Sequence, residues 1–312
     1  YGSLMDVMGY NGGGGSCFDY EKDHAAHPGM PMFASEVPHT LQTRGVYRTR
    51  TWVRDLARNP DVERIDVPHM TDREVFTDFD EHYQSSYDNA IVRISAIDSW
   101  RRTKALPYVC GEFRWTGFDY LGECRAWPAK SWNFGVVDLC GFPKDTYYFY
   151  QSQWTDKPMV HILPHWTWPG LEGTCIPVIA YTNCDRVELF LNGDSLGAQQ
   201  SDDHTMQLRW DVDYRAGELK ALGYQNGSPV AACIHETAGE PDAITLSCDR
   251  DTICADRVSL AHLTTAIVDA QERWIPHANH DVTFELEGPA RLLGLENGDP
   301  LDTTNYKLNH RH

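Results

Sequence analysis

Glu36 is the first residue in this chain whose type and place suit chemistry. It stands at the end of Pro31-Met32-Phe33-Ala34-Ser35-Glu36, an apolar run bounded by Pro31 and Pro38. Such a run is too short for a helix and reads as a strand that delivers a carboxylate at its C-terminal end, where barrel enzymes keep their reactive groups. The alternative is a solvated loop glutamate. His24 and His27 form an H-x-x-H pair, but no third ligand lies nearby in sequence, so a surface helix is expected rather than a metal centre. Nine cysteines, an odd number, have no C-x-x-C spacing and read as free thiols, which points to a reducing, cytoplasmic setting over a periplasmic or secreted one. No G-x-S-x-G, phosphate loop or dinucleotide fingerprint is present; Gly12–Gly15 lacks the spacing of one.

The elements that must position Glu36 alternate between strand and helix. Leu4–Tyr10 reads as a short buried strand that stops at Asn11, and Gly12–Ser16 as a loop, whose composition also matches an engineered flexible linker. Asp19–His27 is expected to be helical. Thr43–Tyr47 opens a second helical stretch, and Ile91, Ile94, Ile97 and Trp100 trace the apolar face of a third. A strand over Leu106–Phe113 then leads into Arg114–Glu123. Strand-then-helix units with carboxylates and aromatics just past the strand ends argue for one side of a (β/α)8 barrel, and only about 155 residues of the roughly 250 a whole barrel takes precede a change of texture near Trp154. Beyond it, 176–181, 187–191, 207–210 and 218–221 alternate as strands, with Asn192-Gly193, Ala216-Gly217 and Asn226-Gly227 as turn signals for a β-sandwich. A second set at 244–246, 260–261, 265–269 and 282–286 is expected to form another immunoglobulin-like sandwich without its last strand.

Composition narrows the function. With 27 Lys and Arg against 45 Asp and Glu, the net charge of −18 repels phosphate backbones and anionic surfaces, so neither nucleic acid nor a membrane is an expected partner. No run of 18 apolar residues occurs. The 10 Trp and 15 Tyr suit a carbohydrate-binding cleft, although a large core would use them too.

Ser35-Glu36, Thr43–Tyr47, Ser85–Asn89, Gly111–Glu123 and Phe134–Asp145, in that order, resemble the C-terminal half of a glycoside hydrolase family 2 barrel of the β-galactosidase-like type. Leu163–Trp168 and Val187–Gly193 resemble the sandwich that follows it. The resemblance implies an incomplete (β/α)8 barrel over 1–155, an immunoglobulin-like sandwich over 156–240 and a second, truncated one over 241–312. It also implies a retaining β-glycosidase for terminal β-D-galactosides, with Glu36 as nucleophile and a second carboxyl about 5–5.5 Å away as acid/base. That acid/base is expected upstream of this chain, so the chain alone is expected to be inactive or a non-catalytic sugar-binding or scaffold module.

By the same resemblance Trp115 floors the sugar subsite, and Tyr10 and Asn11 contact substrate; Gly12 replaces the tyrosine that usually follows. Asp119 and Glu123 can take sugar hydroxyls or brace Arg44. Lys144 and Asp145 are expected to form an ion pair at the junction of barrel and sandwich. The Asn-x-Lys pair with which β-glucuronidases hold a uronate has no counterpart after Trp115, which favours a neutral sugar, β-galactoside before β-mannoside. Expected partners are an oligosaccharide or β-galactoside, the N-terminal half of the enzyme and further copies of the chain. No cofactor or metal is implied.

Overall fold

The computed structural model describes residues 5–11, 15–38, 40–47, 51–53, 57, 62–66, 86–124, 127 and 129–311. The chain is rich in strands and carries few helices. Its first layer is a parallel sheet of β1 (Met8–Tyr10), β2 (Met32–Val37) and, later in the chain, β5 (Val109–Arg114), in the order β1-β2-β5. Parallel neighbours need a crossover, and helix α1 (Tyr20–Ala26) supplies the one between β1 and β2. Tyr10, Tyr20, Met32, Ala34, Val37, Ile94 and Val109 form one buried cluster where helix and sheet meet.

Two short pairs flank this sheet: β3 (Trp52–Val53) with β4 (Ala90–Ile91), parallel, and β6 (Tyr120–Leu121) with β7 (Ser131–Trp132), antiparallel. Between β4 and β5 runs helix α2 (Ala96–Ala105).

Local chemistry corrects three expectations here. The isoleucine pattern from 91 to 100 is not one helix, because Ile91 lies in β4 and α2 begins only at Ala96. Ser95 accepts the Asp98 amide at 3.0 Å, and the buried Asp88 carboxylate accepts those of Ala96 and Ile97, each at 3.0 Å, so three otherwise orphaned donors are satisfied there. Thr43–Tyr47 does not open a helix in its described residues: Arg44 and Gly45 form a turn, with Gly45 at φ 73°. Gly15 and Ser16 belong to a 3-10 helix, Gly15–Asp19, rather than to a slack loop, while Gly12–Gly14, Leu4, His39 and Ser85 lie outside the described residues.

Helix α3 (Asp145–Trp154) leads into two facing sheets. One has the order β12-β9-β8, from β8 (Val160–Leu163), β9 (Cys175–Thr182) and β12 (Leu208–Asp213). The other, β11-β10-β13-β14, joins β10 (Arg186–Leu191), β11 (Asp194–Gln200), β13 (Glu218–Gln225) and β14 (Ser228–Glu236). Alternate residues of both sheets, among them Ile162, Ile176, Val178, Val187, Leu189, Trp210, Leu219 and Ala221, close one core around Trp166. Asn192-Gly193 and Asn226-Gly227 make their turns with φ of 55° and 86°, and 50° and 80°, the left-handed pairs that two-residue hairpins require.

The second sandwich expected over 241–312 does not close. Its described strands form two separate pairs, β15 (Ala243–Cys248) with β16 (Leu263–Val268) and β17 (Val282–Thr283) with β18 (His310–Arg311), and 260–261 are not in a strand. A two-stranded pair has no second sheet to bury its apolar face, so Ile244, Leu246 and Leu263 stay exposed.

Candidate active site

The three parallel strands end side by side. Ser35 donates its hydroxyl to the Tyr10 carbonyl at 2.9 Å, and the Trp115 amide donates to the Val37 carbonyl at 3.1 Å. Glu36 is thereby set on the strand between the ends of β1 and β5 and is half-buried, while Trp115 just past the end of β5 is 36% exposed and Asn11 just past the end of β1 is exposed. Trp115 meets the ring of Tyr120 edge-on, centroids 6.0 Å apart. The Tyr120 hydroxyl is pushed above its ordinary pKa, first by burial and then by the charges of Glu123 and Glu36, against a hydrogen bond with Trp115 that lowers it. Tyr120 thus touches Trp115 and feels the charge of both glutamates. Sequence reading passed over it; its position in the strand-end segment after Trp115 was the available signal.

Two residues expected at this face point elsewhere. Tyr10 is 7% exposed and its hydroxyl donates to Asp23 at 2.9 Å, while the ring packs edge-on against Tyr20, so α1 claims the side chain. Asp119 is also 7% exposed; it accepts the Gly135 amide at 2.8 Å and pairs with Lys144 at 2.7 Å. Lys144 is equally committed, donating to the Gln42 and Asn133 carbonyls at 2.7 and 3.3 Å. Burial pushes Asp119 up to about 6 despite its cation, and burial pushes Lys144 down to about 8 despite its anion. Desolvation outweighs the attraction on both sides, so this pair fixes geometry more than it contributes stability.

Arg44 is braced by Asp138, Nε to Oδ2 at 2.6 Å, rather than by Asp119 or Glu123. The expected Lys144–Asp145 pair is divided: Lys144 takes Asp119, and Asp145 takes His161 on β8 at 2.6 Å, which does link α3 to the first sandwich. Arg114 donates to the Pro38 and Phe134 carbonyls and to Thr40, each at 2.9 Å.

A further carboxylate, Glu112, is pushed up to about 7 by burial, against hydrogen bonds from Ser99, Thr103 and Tyr150 that lower it. Those partners lie on α2 and α3 at 2.8, 3.0 and 3.4 Å, so Glu112 faces the helix layer and not the strand-end face. What the arrangement at that face can do is hold a ring between an aromatic surface and a carboxylate that is placed to attack or to stabilise a positive centre.

Known proteins resemble this chain in sequence and fold. Residues 244–312 match the model described as glycoside hydrolase family 2 C-terminal domain 5, and residues 173–231 match a domain of unknown function, DUF4982. The chain is 36% identical to the beta-galactosidase BoGH2A of Bacteroides ovatus over 97% of this chain and 34% of that protein. It is 27% identical to a beta-glucuronidase of Formosa agariphila, over 90% of this chain and 27% of that protein. A solved beta-glycosidase from Bacteroides vulgatus superposes with a TM-score of 0.87 at 42% identity, over 98% of this chain and 40% of the other. The chain spans about a third of the length of the curated relatives it matches. The matches agree along nearly its whole length, and the chain belongs to glycoside hydrolase family 2.

Proposed function

We propose that the parent protein is a retaining β-glycosidase acting on terminal β-D-galactosides, with Glu36 as the nucleophile and Trp115, Tyr120 and Asn11 around the sugar. On this reading residues 1–155 are the C-terminal half of a (β/α)8 barrel, 156–240 an immunoglobulin-like sandwich and 241–312 a second, truncated one. The observation that supports it is the hydrogen bond from the Trp115 amide to the Val37 carbonyl, which joins the backbone of Trp115 to the strand end that carries Glu36. Retention needs two carboxyl groups about 5–5.5 Å apart, one attacking the anomeric carbon and one protonating the leaving oxygen. On this reading Glu36 is the first. Tyr10 and Asp119 hold the site from behind and do not touch the sugar.

The relatives' names divide between galactoside and glucuronide. A neutral sugar is supported by the engaged cations: Arg114 is spent on Pro38, Thr40 and Phe134, Lys144 on Asp119 and Arg44 on Asp138.

The test is to trap the full-length parent with 2-deoxy-2-fluoro β-galactosyl and β-glucuronyl fluorides and map the labelled peptide. A galactosyl label on Glu36 is expected. A label on another residue removes Glu36 as nucleophile, and a glucuronyl label alone overturns the sugar.

A further inference from the structure

The ladder between β2 and β5 is broken twice before it reaches the strand ends. Met32 faces Val109, Ala34 faces Glu112 and Val37 faces Arg114, so β5 carries one extra residue in the first interval and β2 one in the second. Gly111, at φ 148°, lies in the first interval with a backbone conformation that side chains disfavour. An extra residue is left unpaired and bends its strand. The ends that carry Glu36 and Trp115 therefore meet where pairing is irregular, and a regular ladder does not fix their separation.

The Arg114 side chain bridges the same ends. Its Nη1 donates to the carbonyl of Pro38, two residues past Glu36, and its Nη2 donates to the Thr40 hydroxyl and the Phe134 carbonyl, each at 2.9 Å. Thr40 is buried and bridges to Ile91 of β4, so the segment leaving β2 is anchored again just beyond the guanidinium. The Phe134 carbonyl also accepts the Thr116 amide at 3.3 Å. Trp115 thus lies between two residues tied to Phe134, and one of them also holds the chain past Glu36. A guanidinium presents its donors in a rigid planar fork, whereas the ammonium of a lysine is a point charge that does not span these three acceptors.

Taking Glu36 as the nucleophile, on which this rests, we propose that Arg114 is a positioning residue: its guanidinium sets the strand end that bears Glu36 against the one that bears Trp115. It acts through those two residues and not on the sugar. A carboxylate and the ring it attacks must be held close to their reactive geometry, and a misplacement of about 1 Å costs about a hundredfold in rate. Binding of the sugar depends less steeply on that distance, so the effect belongs in kcat and not in KM.

The test compares Arg114→Ala, Arg114→Lys and Thr40→Val with the unsubstituted full-length parent, on whichever of an aryl β-D-galactoside and an aryl β-D-glucuronide the parent cleaves. Arg114→Ala and Arg114→Lys are each expected to lower kcat about hundredfold with KM within about threefold. Guanidinium at about 50 mM is expected to return about tenfold to Arg114→Ala, and ammonium at the same concentration to return nothing. Thr40→Val keeps the side chain's size and removes one acceptor; its expected fall in kcat is about threefold, and it is the measure should the Arg114 variants not fold. An unchanged kcat in the folded variants, a loss that falls on KM alone, or equal recovery with ammonium overturns the proposal. Trapping with the matching 2-deoxy-2-fluoro glycosyl fluoride separates it from the assignment of Glu36. A label on Glu36 that forms as fast in the variants as in the parent overturns the role of Arg114 alone, whereas a label on another residue overturns both.

Discussion

At the scale of single residues, the division of labour among acids is set by what each can reach. Glu36 and Glu112 lie in strands, Asp119 follows one and Asp145 starts a helix, and sequence alone cannot rank them. Lys144 takes Asp119 into the interior, Ser99 and Thr103 draw Glu112 to the helix side, and His161 takes Asp145, while Glu36 lies at the end of β2, where the next residue, Val37, accepts the Trp115 amide. Stacking of a sugar on an exposed indole is worth about 1 kcal/mol beyond its area, so Trp115→Ala in the full-length parent should raise KM about tenfold. An unchanged KM would place the sugar away from Trp115.

At the scale of elements, close approaches decide what the segments tolerate. Gly135 follows Phe134 in the segment that packs beside Phe118 and Asp119; a Cβ there would lie 2.2 Å from the Asp119 amide nitrogen and 2.6 Å from the Val137 carbonyl. Those are backbone atoms that cannot step aside, so Gly135→Ala should cost about 2–4 kcal/mol in urea unfolding and disturb the Asp119–Lys144 pair. A loss under about 1 kcal/mol would mean that the two segments separate easily.

The joint between α3 and β8 is sensitive to pH. His161 has its folded pKa raised to about 9 from 6.5, so its stabilisation is fully present below about 6.5 and is lost as pH rises through 9. His161→Gln should therefore lower stability by roughly 2 kcal/mol at about pH 6, and the gap to the unsubstituted chain should close by about pH 10. A gap that is constant with pH would assign the effect to packing alone.

At the scale of the whole molecule, the last segment folds back on the first. Lys130 pairs with Glu296 at 3.0 Å and donates its amide to the Pro300 carbonyl, β18 brings Arg311 to Glu296 and Asp302 at 2.6 and 2.8 Å, and Asn297 donates to Asp302. Lys130 adjoins β7, which pairs with the strand carrying Tyr120, so this contact reaches toward the candidate site. Glu296→Gln weakens both ion pairs, and limited proteolysis within 282–311 should then accelerate about fivefold, as expected for a locally opened segment. Equal cleavage rates would show that the segment is held by other contacts.

Some of this was legible in the sequence because its causes are local. Asn192-Gly193 and Asn226-Gly227 make hairpins through their own backbone preference, and the alternation of 187–191 and 218–221 places one face inward wherever the strands pair. The run from Pro31 to Pro38 is a strand for the same kind of reason, so the carboxylate at its end could be singled out. The isoleucine pattern misled because Ser95 and Asp88 start α2 late, and a capping bond from eight residues upstream leaves no trace in periodicity.

The sequence by itself determined the strand ends, the hairpins and the family. Tertiary structure alone decided which side chains share a site. Arg44 meets Asp138, Lys144 meets Asp119, and Lys130 meets Glu296 across 94, 25 and 166 residues of chain, and no local preference encodes a pair that only packing brings together.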